Sequence, residues 1–385
     1  MQNFLSFLEN PQINHFSFYE VMRDFRKGGL NPSMYDEFVK DIESLPSINK
    51  RKPYDYDISK KYQLYDISKN DYSIIMREVI KRQIEKNKKC WHPEASVKTC
   101  SLDDSGKIII SGAHSIQNNG ILNRISENGH VMNYNFEKGE FSGKKLSRHI
   151  ASTFYGFCNT HDVIFKPIEI EPYIESEKQN FLFAYRAFTI AAHKKEESSF
   201  LINYDNQINT DIKENKKIFD RALLNNDYSI IETEIIQFPA FYPIAASSAF
   251  YLEFDFERNP IKHSTKRIEV IFVTLFPSEN KTYFLLSYLK EDKLLYEKLG
   301  FQLRERKNLK SDITMLLASH VENIFFNPIY YKEFIEKYEK NLEEIFSNAH
   351  FDCGRVDEDD NIKIDFSFTP DDYLTNKYNI SFFGY

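Results

Sequence analysis

The stretch FCNTHD at residues 157–162 decides how this sequence is interpreted, because it places a cysteine and a histidine three positions apart. Cys158 and His161 form a Cys-x-x-His pair at the start of a predicted helix, and the short loop lets both side chains bind one ion. Zinc prefers thiolate and imidazole ligands, and structural sites usually offer four of them as two close pairs. The stretch therefore predicts one half of a zinc site.

Cys90 and Cys100 are the candidates for the other half. Nine residues separate them, so this pair is looser, and His92 is an alternative ligand to one of the two cysteines. Cys353 lies far along the chain and is expected to be an ordinary thiol. The sequence therefore predicts a zinc site formed by Cys90, Cys100, Cys158 and His161.

The segment around these cysteines differs in composition from the rest of the chain. Seven of the twelve glycines lie between residues 106 and 156, and three of the four cysteines and five of the ten histidines lie between residues 90 and 161. Glycine allows backbone angles that other residues resist. The composition predicts a loop-rich unit over residues 90–170 with little core of its own, held by a metal ion. The alternative is that the cysteines are small core residues.

Three other regions flank this unit. Residues 1–89 are predicted to be helical, with a linker over 46–70 that contains Pro46 and Pro53. Residues 171–350 are predicted to form a larger domain, and residues 351–385 a C-terminal tail. In the larger domain, the spacing of apolar residues predicts helices over 177–195, 211–224, 311–325 and 330–346.

Strand patterns in the larger domain indicate an antiparallel sheet. Apolar runs at 268–276 and 282–289 flank the turn sequence PSEN at 277–280, which predicts a hairpin of central strands. Apolar and polar residues alternate over 250–257, which predicts a half-buried strand. Its acidic side chains, Glu253, Asp255 and Glu257, are expected to face solvent rather than a metal ion. Helices beside an antiparallel sheet predict the α+β fold class.

The segment from Cys90 to Lys166 resembles the HNH, or treble-clef, endonucleases. In that family a cysteine pair precedes a strand that ends in an Asp-His step, and a second knuckle opens a helix whose next residue binds the catalytic metal. The resemblance implies a ββα-like treble-clef zinc module between an N-terminal helical region and the α+β domain. The matching positions, in order, are Cys90 and Cys100, Ala113-His114, Cys158 and His161, and Asp162.

The resemblance also implies roles in the cleavage of a phosphodiester. His114 would act as the general base toward water. Asp162, with His114 or His130 near it, would hold a catalytic ion such as Mg²⁺ or Mn²⁺. Arg124 and Lys166 would contact the phosphates of DNA or RNA. The zinc ion would have a structural role only.

Departures from the family pattern leave a second hypothesis open. Ala113 stands in place of the family's acidic residue, and the sequence STF at 152–154 stands where an asparagine is usual. The gap between His114 and Cys158 is also longer than in the family. The protein could thus be a non-catalytic, zinc-stabilised component that binds nucleic acid or protein. Nuclease-like proteins of this kind often belong to phage-defence loci, so the resemblance implies a role in bacterial antiviral defence.

A third hypothesis rests on Arg186 and His193, which form an Arg-x6-His pattern on a predicted helix. This pattern resembles the HEPN ribonucleases, which use such a pair at a dimer interface to cleave RNA. Ala187 follows the arginine, where that family usually has a polar residue. Seven residues are about two helical turns, so the spacing also arises by chance.

Two further side chains are assigned to packing. Trp91, next to Cys90, is expected to pack on the zinc knuckle rather than to stack on a base. His320 lies on an apolar helical stripe and is expected to be a hydrogen-bonded residue at the edge of the core.

The overall charge limits the classes of partner. A net charge of −7 excludes a uniformly basic surface, yet residues 77–166 carry fourteen Lys and Arg against nine Asp and Glu. This local excess predicts nucleic acid as a partner, while a partner protein or a homo-oligomer stays open. No segment reaches the roughly 18 apolar residues of a membrane helix, and no signal peptide is evident. Few cysteines predict a reducing, cytoplasmic location without membrane association.

Overall fold

The computed structural model describes most of the chain beyond residue 87. Most of the predicted helical region at 1–89 lies outside the described residues, as does Cys353. The described residues are 85, 88–137, 140–199, 206–264, 267–350 and 369–384, with short strands at 15–17, 49–51, 64–68, 354–356 and 362–364.

A seven-stranded antiparallel sheet lies at the centre of the structure, in the strand order β6-β5-β12-β9-β10-β11-β8. With the helices packed on it, the sheet gives the α+β class that the sequence predicts. The strands are β1 (His15–Ser17), β2 (Asn49–Arg51), β3 (Leu64–Ser68), β4 (Ser111–His114), β5 (His130–Glu137), β6 (Glu140–Ser147), β7 (Thr153–Phe157), β8 (Ile231–Phe238), β9 (Ile244–Phe250), β10 (Ile271–Pro277), β11 (Thr282–Leu289), β12 (Ile324–Phe326), β13 (Gly354–Val356) and β14 (Ile362–Ile364).

The predicted central hairpin is confirmed as β10 and β11, which pair from Pro277 and Thr282 outward. Every residue of both strands is buried. Successive side chains of a strand point to opposite faces, so Val273 packs into one core and Phe272 into the other. Because helices cover both faces of the sheet, these strands are continuous apolar runs rather than alternating ones.

Helices form a layer on each face of the sheet, and we call the three layers the sandwich. Helices α4 and α5 cover one face, and α6, α7, α9 and α10 contribute to the core on the other. The helices predicted at 177–195 and 211–224 are confirmed as α4 and α5. The helices are α1 (Asn123–Ile125), α2 (Asn159–Asp162), α3 (Lys166–Glu169), α4 (Glu177–Ser199), α5 (Asn206–Asn225), α6 (Lys293–Glu305), α7 (Leu309–His320), α8 (Pro328–Tyr330), α9 (Glu339–His350) and α10 (Pro370–Leu374).

Two predicted helices are shorter than the sequence suggested. The helix predicted over 311–325 ends at His320, and Ile324–Phe326 instead forms β12 between β5 and β9. These three apolar residues are buried and fill the gap between the two strands. The helix predicted over 330–346 is divided into a π-helical turn (Tyr331–Ile335), a 3₁₀ turn (Glu336–Tyr338) and α9.

The strand predicted over 250–257 is wrong. β9 ends at Phe250, and the chain then forms a turn in which Asp255 Oδ1 accepts hydrogen bonds from the backbone N–H of Glu257 and Asn259. Leu252 and Phe256 are nevertheless buried. Phe254 is only half-buried, so the alternating pattern predicts the burial in part, and an Asx-type turn rather than a β-strand follows Phe250.

The predicted zinc-binding segment is built around a second, smaller sheet. β4 and β7 form an antiparallel pair, and α2, a 3₁₀ turn (Val163–Phe165) and α3 follow β7 directly. The β5–β6 hairpin lies between β4 and β7 in sequence and joins the large sheet, where Met132 pairs with Phe326. The predicted boundary at residue 170 therefore divides segments that share one sheet.

We call residues 88–129 and 148–169 the metal module. Trp91, Phe154, Phe157 and Phe165 are buried there and pack in one core with residues of α4. Trp91 meets the edge of Phe188 with 6.2 Å between ring centroids, so it packs in the core against α4. The expectation of little core holds only in part, because the module shares a core with the sandwich.

The predicted C-terminal tail also takes part in the fold. β13 and β14 form a hairpin, and Tyr373, Ile380, Phe382 and Phe383 are buried in the core beside α7. Near the N-terminus, β1 and β2 both pair with β3 within the region predicted to be helical and linker.

Candidate metal centre

The strand-to-helix junction positions Cys158 and His161. Cys158 has an extended backbone at the end of β7, and its carbonyl accepts the N–H groups of His161 at 3.0 Å and Asp162 at 2.9 Å. This first helical turn places the Cys158 thiol and the His161 imidazole on one side. The Cys-x-x-His pair predicted from sequence is therefore a preformed half-site.

Backbone and side-chain hydrogen bonds hold the first knuckle, which carries Cys90 and Cys100, beside Cys158 and His161. The N–H of Trp91 donates to the Gly156 carbonyl at 2.8 Å, which fixes Cys90 beside β7. A Cβ at Gly156 would lie 2.4 Å from the Phe154 ring, so this close approach favours glycine. The Ser101 hydroxyl lies 2.9 Å from the Thr160 hydroxyl and accepts the Thr160 N–H at 3.1 Å. Cys100 is thereby tied to α2.

Four ligand atoms converge at this point, and all lie within 4.8 Å of one another. The thiol sulfurs of Cys90, Cys100 and Cys158 lie 3.4, 3.5 and 3.2 Å from His161 Nδ1. An ion at the centre of a tetrahedron, about 2.3 Å from sulfur and about 2.1 Å from nitrogen, would separate the two by about 3.6 Å. The side chains therefore fit a tetrahedral metal ion, and the four predicted ligands are brought together.

The pKa values of the three cysteines indicate what is needed to form thiolates at this centre. Burial raises the pKa of Cys90 to about 12, and repulsion by the other two sulfurs adds to this effect. Burial also raises the pKa of Cys100. For Cys158 burial acts in the same direction, but N–H donors of Ser101 and His161 outweigh it and lower the pKa. A divalent cation would stabilise all three thiolates, since a coordinating thiol is deprotonated by the metal.

Nearby backbone N–H groups lower the pKa of each of the three thiols. The donors are those of Cys158 and His92 for Cys90, Ser96 for Cys100, and Ser101 and His161 for Cys158. Such donors stabilise a thiolate more than a thiol, because charge strengthens the hydrogen bond. Burial lowers the pKa of His161 and keeps it neutral, the form that binds a metal.

His92 does not replace a cysteine. Its ring stacks on the His161 ring at 4.1 Å between centroids and 11° between planes, and its Nδ1 accepts the Glu94 N–H at 3.2 Å. Burial, followed by the nearby His161 and Lys216, lowers the pKa of His92 to about 4. His92 therefore lies against the outside of the ligand set.

His114 and Asp162 occupy the strand and the helix of the same module. His114 ends β4, and its ring lies beside the backbone carbonyls of Arg148 and His149, while Nε2 is buried without a hydrogen-bond partner in the described structure. Asp162 Oδ1 is buried without such a partner as well. Burial lowers the pKa of His114 and raises that of Asp162, so both favour their neutral forms.

A partly buried ion pair lies beside these two residues and was not anticipated from the sequence. Arg186 Nη2 donates to Glu169 Oε1 at 2.5 Å, and the guanidinium lies 4.2 Å from the centre of the Phe165 ring. Both charges act on the pKa of His114 and on that of Asp162. The side-chain amide of Gln117 donates to the Glu169 carbonyl, which ties the segment after β4 to the end of α3.

The burial of Arg186 counts against the HEPN hypothesis. Arg186 and His193 are 2% and 1% exposed, and His193 packs beside Phe154 at 5.7 Å between ring centroids. A composite site across a dimer interface needs accessible side chains. The Arg-x6-His pattern instead reflects one side of α4 that faces the metal module.

The remaining predicted site residues are spread over the module surface. His130 is half-buried at the start of β5, where Nδ1 lies 2.8 Å from the Asn128 carbonyl. Arg124 and Lys166 are exposed. Among the described residues, the Cys₃His centre is the one group of three or more such ligands close enough for a metal ion, so His114, His130 and Asp162 do not form a second.

No family model, curated protein or solved structure matches this chain. In the part of the chain that the structure describes, no helix combines the length and the apolar composition needed to cross a membrane. The functional assignment therefore depends on the geometry of the site alone.

Proposed function

We propose that the Cys₃His centre holds a structural zinc ion in a treble-clef module, and that the module is an HNH-like nuclease acting on DNA or RNA. Three thiolates and one imidazole are the ligand chemistry that structural zinc prefers. The order of the elements supports the treble-clef assignment: a knuckle, the strands β4 and β7, and a helix that begins with the second pair of ligands.

One observation carries the nuclease proposal. The module contains three buried polar atoms without partners in the described structure, Trp91 Nε1, His114 Nε2 and Asp162 Oδ1, and the last two lie on the strand and the helix that the HNH pattern uses. Buried polar atoms are normally hydrogen-bonded, so an unsatisfied one in a native protein needs an explanation. A bound water, ion or substrate group would satisfy His114 Nε2 and Asp162 Oδ1.

The roles follow from the chemistry of the two side chains. His114 is held by backbone carbonyls on one side, and its neutral form can take a proton from water through Nε2. Asp162 is the candidate ligand for a divalent cation such as Mg²⁺ or Mn²⁺, which would supply positive charge to the scissile phosphate. Such an ion would reverse the effect of burial on the Asp162 carboxyl. Arg124 and Lys166 offer exposed positive charge to flanking phosphates.

The replacement of His114 by alanine tests this proposal. Loss of a general base should reduce cleavage of plasmid DNA or single-stranded RNA by about 10²- to 10⁴-fold in the presence of Mg²⁺ or Mn²⁺. Bound zinc should not change. His149→Ala is the matched control, because His149 is an exposed histidine whose ring contacts the Asn118 amide at 3.2 Å. Equal cleavage by the wild-type protein and His114→Ala would remove His114 from the mechanism.

A non-catalytic scaffold is the second candidate. Ala113, where the HNH pattern has an acid, is 4% exposed and apolar, and His114, His130 and Asp162 do not converge into a three-ligand site among the described residues. In this case the module would bind nucleic acid or a partner protein through its surface. Binding of single-stranded or duplex nucleic acid without cleavage by any divalent metal would favour the scaffold.

A further inference from the structure

A cavity of about 340 Å³ lies beside the metal centre, between the first knuckle and the helices α4 and α5. Aliphatic side chains from the segment after α2, from α4 and from the end of α5 form part of its lining. His92, Glu94, Lys178, Asn226 and Tyr228 supply polar groups. Ligand pockets range from about 300 to 1,000 Å³, so this one suits a single small ligand.

The His92 ring offers a flat surface that is already fixed in orientation. One interaction is its stacking on His161, and a second is the hydrogen bond from the Glu94 N–H to Nδ1. With Nδ1 as the acceptor, the proton of the neutral imidazole lies on Nε2, which becomes a donor. A planar aromatic ligand could therefore meet an ordered ring without first immobilising it.

Lys178 and Asn226 add donors at the rim. Lys178 Nζ lies 5.5 Å from the centre of the Tyr228 ring, and no described carboxylate pairs with it. The Tyr228 hydroxyl donates to Asn226 Oδ1 at 3.0 Å, which leaves the amide Nδ2 as a donor. The cavity thus combines one cation, one carboxylate (Glu94) and further hydrogen-bond donors with an aliphatic wall.

We propose that this cavity binds one nucleotide, with the base between the aliphatic wall and the His92 ring and the phosphate near Lys178. A nucleobase is planar, apolar on its faces and rich in acceptors at its edge, and a phosphate requires a cation. The nucleotide is either free or part of a single strand. The proposal does not depend on the nuclease activity, because binding needs neither His114 nor a catalytic metal.

Calorimetric titration of the full-length protein, without added divalent metal, tests the proposal. The probes are AMP, UMP, inorganic phosphate and a short single-stranded oligonucleotide. Lys178→Glu should weaken nucleotide binding by about tenfold or more through loss of the cation. Leu224→Trp, at a rim position that is 54% exposed, should block the cavity without disturbing the core. Lys217→Glu is the control, because this exposed lysine of α5 does not line the cavity.

The outcomes separate the two sources of the nucleotide. Tighter binding of the oligonucleotide than of AMP or UMP identifies a base within a strand, and equal binding identifies a free nucleotide. Either result supports the proposal if Lys178→Glu and Leu224→Trp both weaken the binding. Binding of phosphate as strongly as of nucleotide, no saturable binding, or unchanged binding by Lys178→Glu would overturn it. None of these outcomes depends on cleavage, so the nuclease proposal stands or falls separately.

Discussion

The metal module and the sandwich are stabilised in different ways. In the sandwich, β10 and β11 are buried along their whole length between helical layers. In the module, β4 buries one residue of four and β7 buries three of five. The Cys₃His side chains converge at one end of the module, and apolar residues of the module pack against α4. The comparison shows that the sandwich depends on apolar burial throughout, whereas the module combines a shared apolar core with four potential metal ligands at one end.

The largest expected loss of stability comes from Cys158→Ser, which removes a candidate metal ligand that is 0% exposed. Structural zinc contributes roughly 10 kcal/mol or more of apparent folding free energy in isolated zinc-binding peptides, so losing it should open the module. Hydrogen exchange should lose protection at residues 90–101 and 158–162 while β10 and β11 stay protected. Simultaneous loss of protection in the sheet would show that the two regions unfold as one unit.

Leu286→Ala should destabilise the sandwich and leave the metal centre unchanged. Leu286 is 0% exposed in the centre of β11, so the substitution should lower the free energy of unfolding by about 2–5 kcal/mol. Thermal denaturation would measure the change, and bound metal per folded chain should stay constant. Leu294→Ala, at a position that is 90% exposed, should change stability by no more than about 0.5 kcal/mol.

Arg186→Met tests the link between the sandwich and the metal module, because Arg186 belongs to α4 of the sandwich and Glu169 to α3 of the module. The Glu169 carboxylate would lose its partner, which should cost about 1–3 kcal/mol. The double substitution Arg186→Met and Glu169→Gln should recover part of that loss, since no unpaired charge remains. Full additivity of the two single changes would contradict the coupling.

The smallest effect is expected from Asp255→Asn in the sandwich. Burial would raise the pKa of Asp255, but donors from Asn259 and Gln302 outweigh it and lower the pKa below the ordinary value. A lowered folded-state pKa stabilises the protein above the unfolded value near pH 3.8, and this contribution disappears as the pH falls through the folded value. Asp255→Asn should therefore flatten the acid limb of the stability curve below about pH 4. An unchanged acid limb would show that the turn does not hold the carboxylate.

The second pair of ligands could be predicted because its information is local. Cys158 and His161 lie on one helical turn, and their geometry follows from three residues of sequence. The β10–β11 hairpin was predictable for the same reason, since its turn and both apolar runs are contiguous. Phe250–Glu257 misled the prediction, because alternating burial does not distinguish a strand from an Asx-type turn.

Contacts distant in sequence were not predictable. The Arg186–Glu169 ion pair joins residues 17 positions apart in separate helices, and the alignment of β5 with β12 joins residues 132 and 326. Neither charge pattern nor periodicity specifies such partners. A glutamate near the end of the module and an arginine among apolar residues of α4 were the available signals, and neither indicates the other without the fold.

Elemental analysis of the purified protein tests the central claim most directly. The Cys₃His centre predicts one zinc ion per chain in the wild-type protein and in Cys353→Ser, and its loss in Cys158→Ser. Wild-type protein without zinc, or Cys158→Ser with a full zinc complement, would contradict the account.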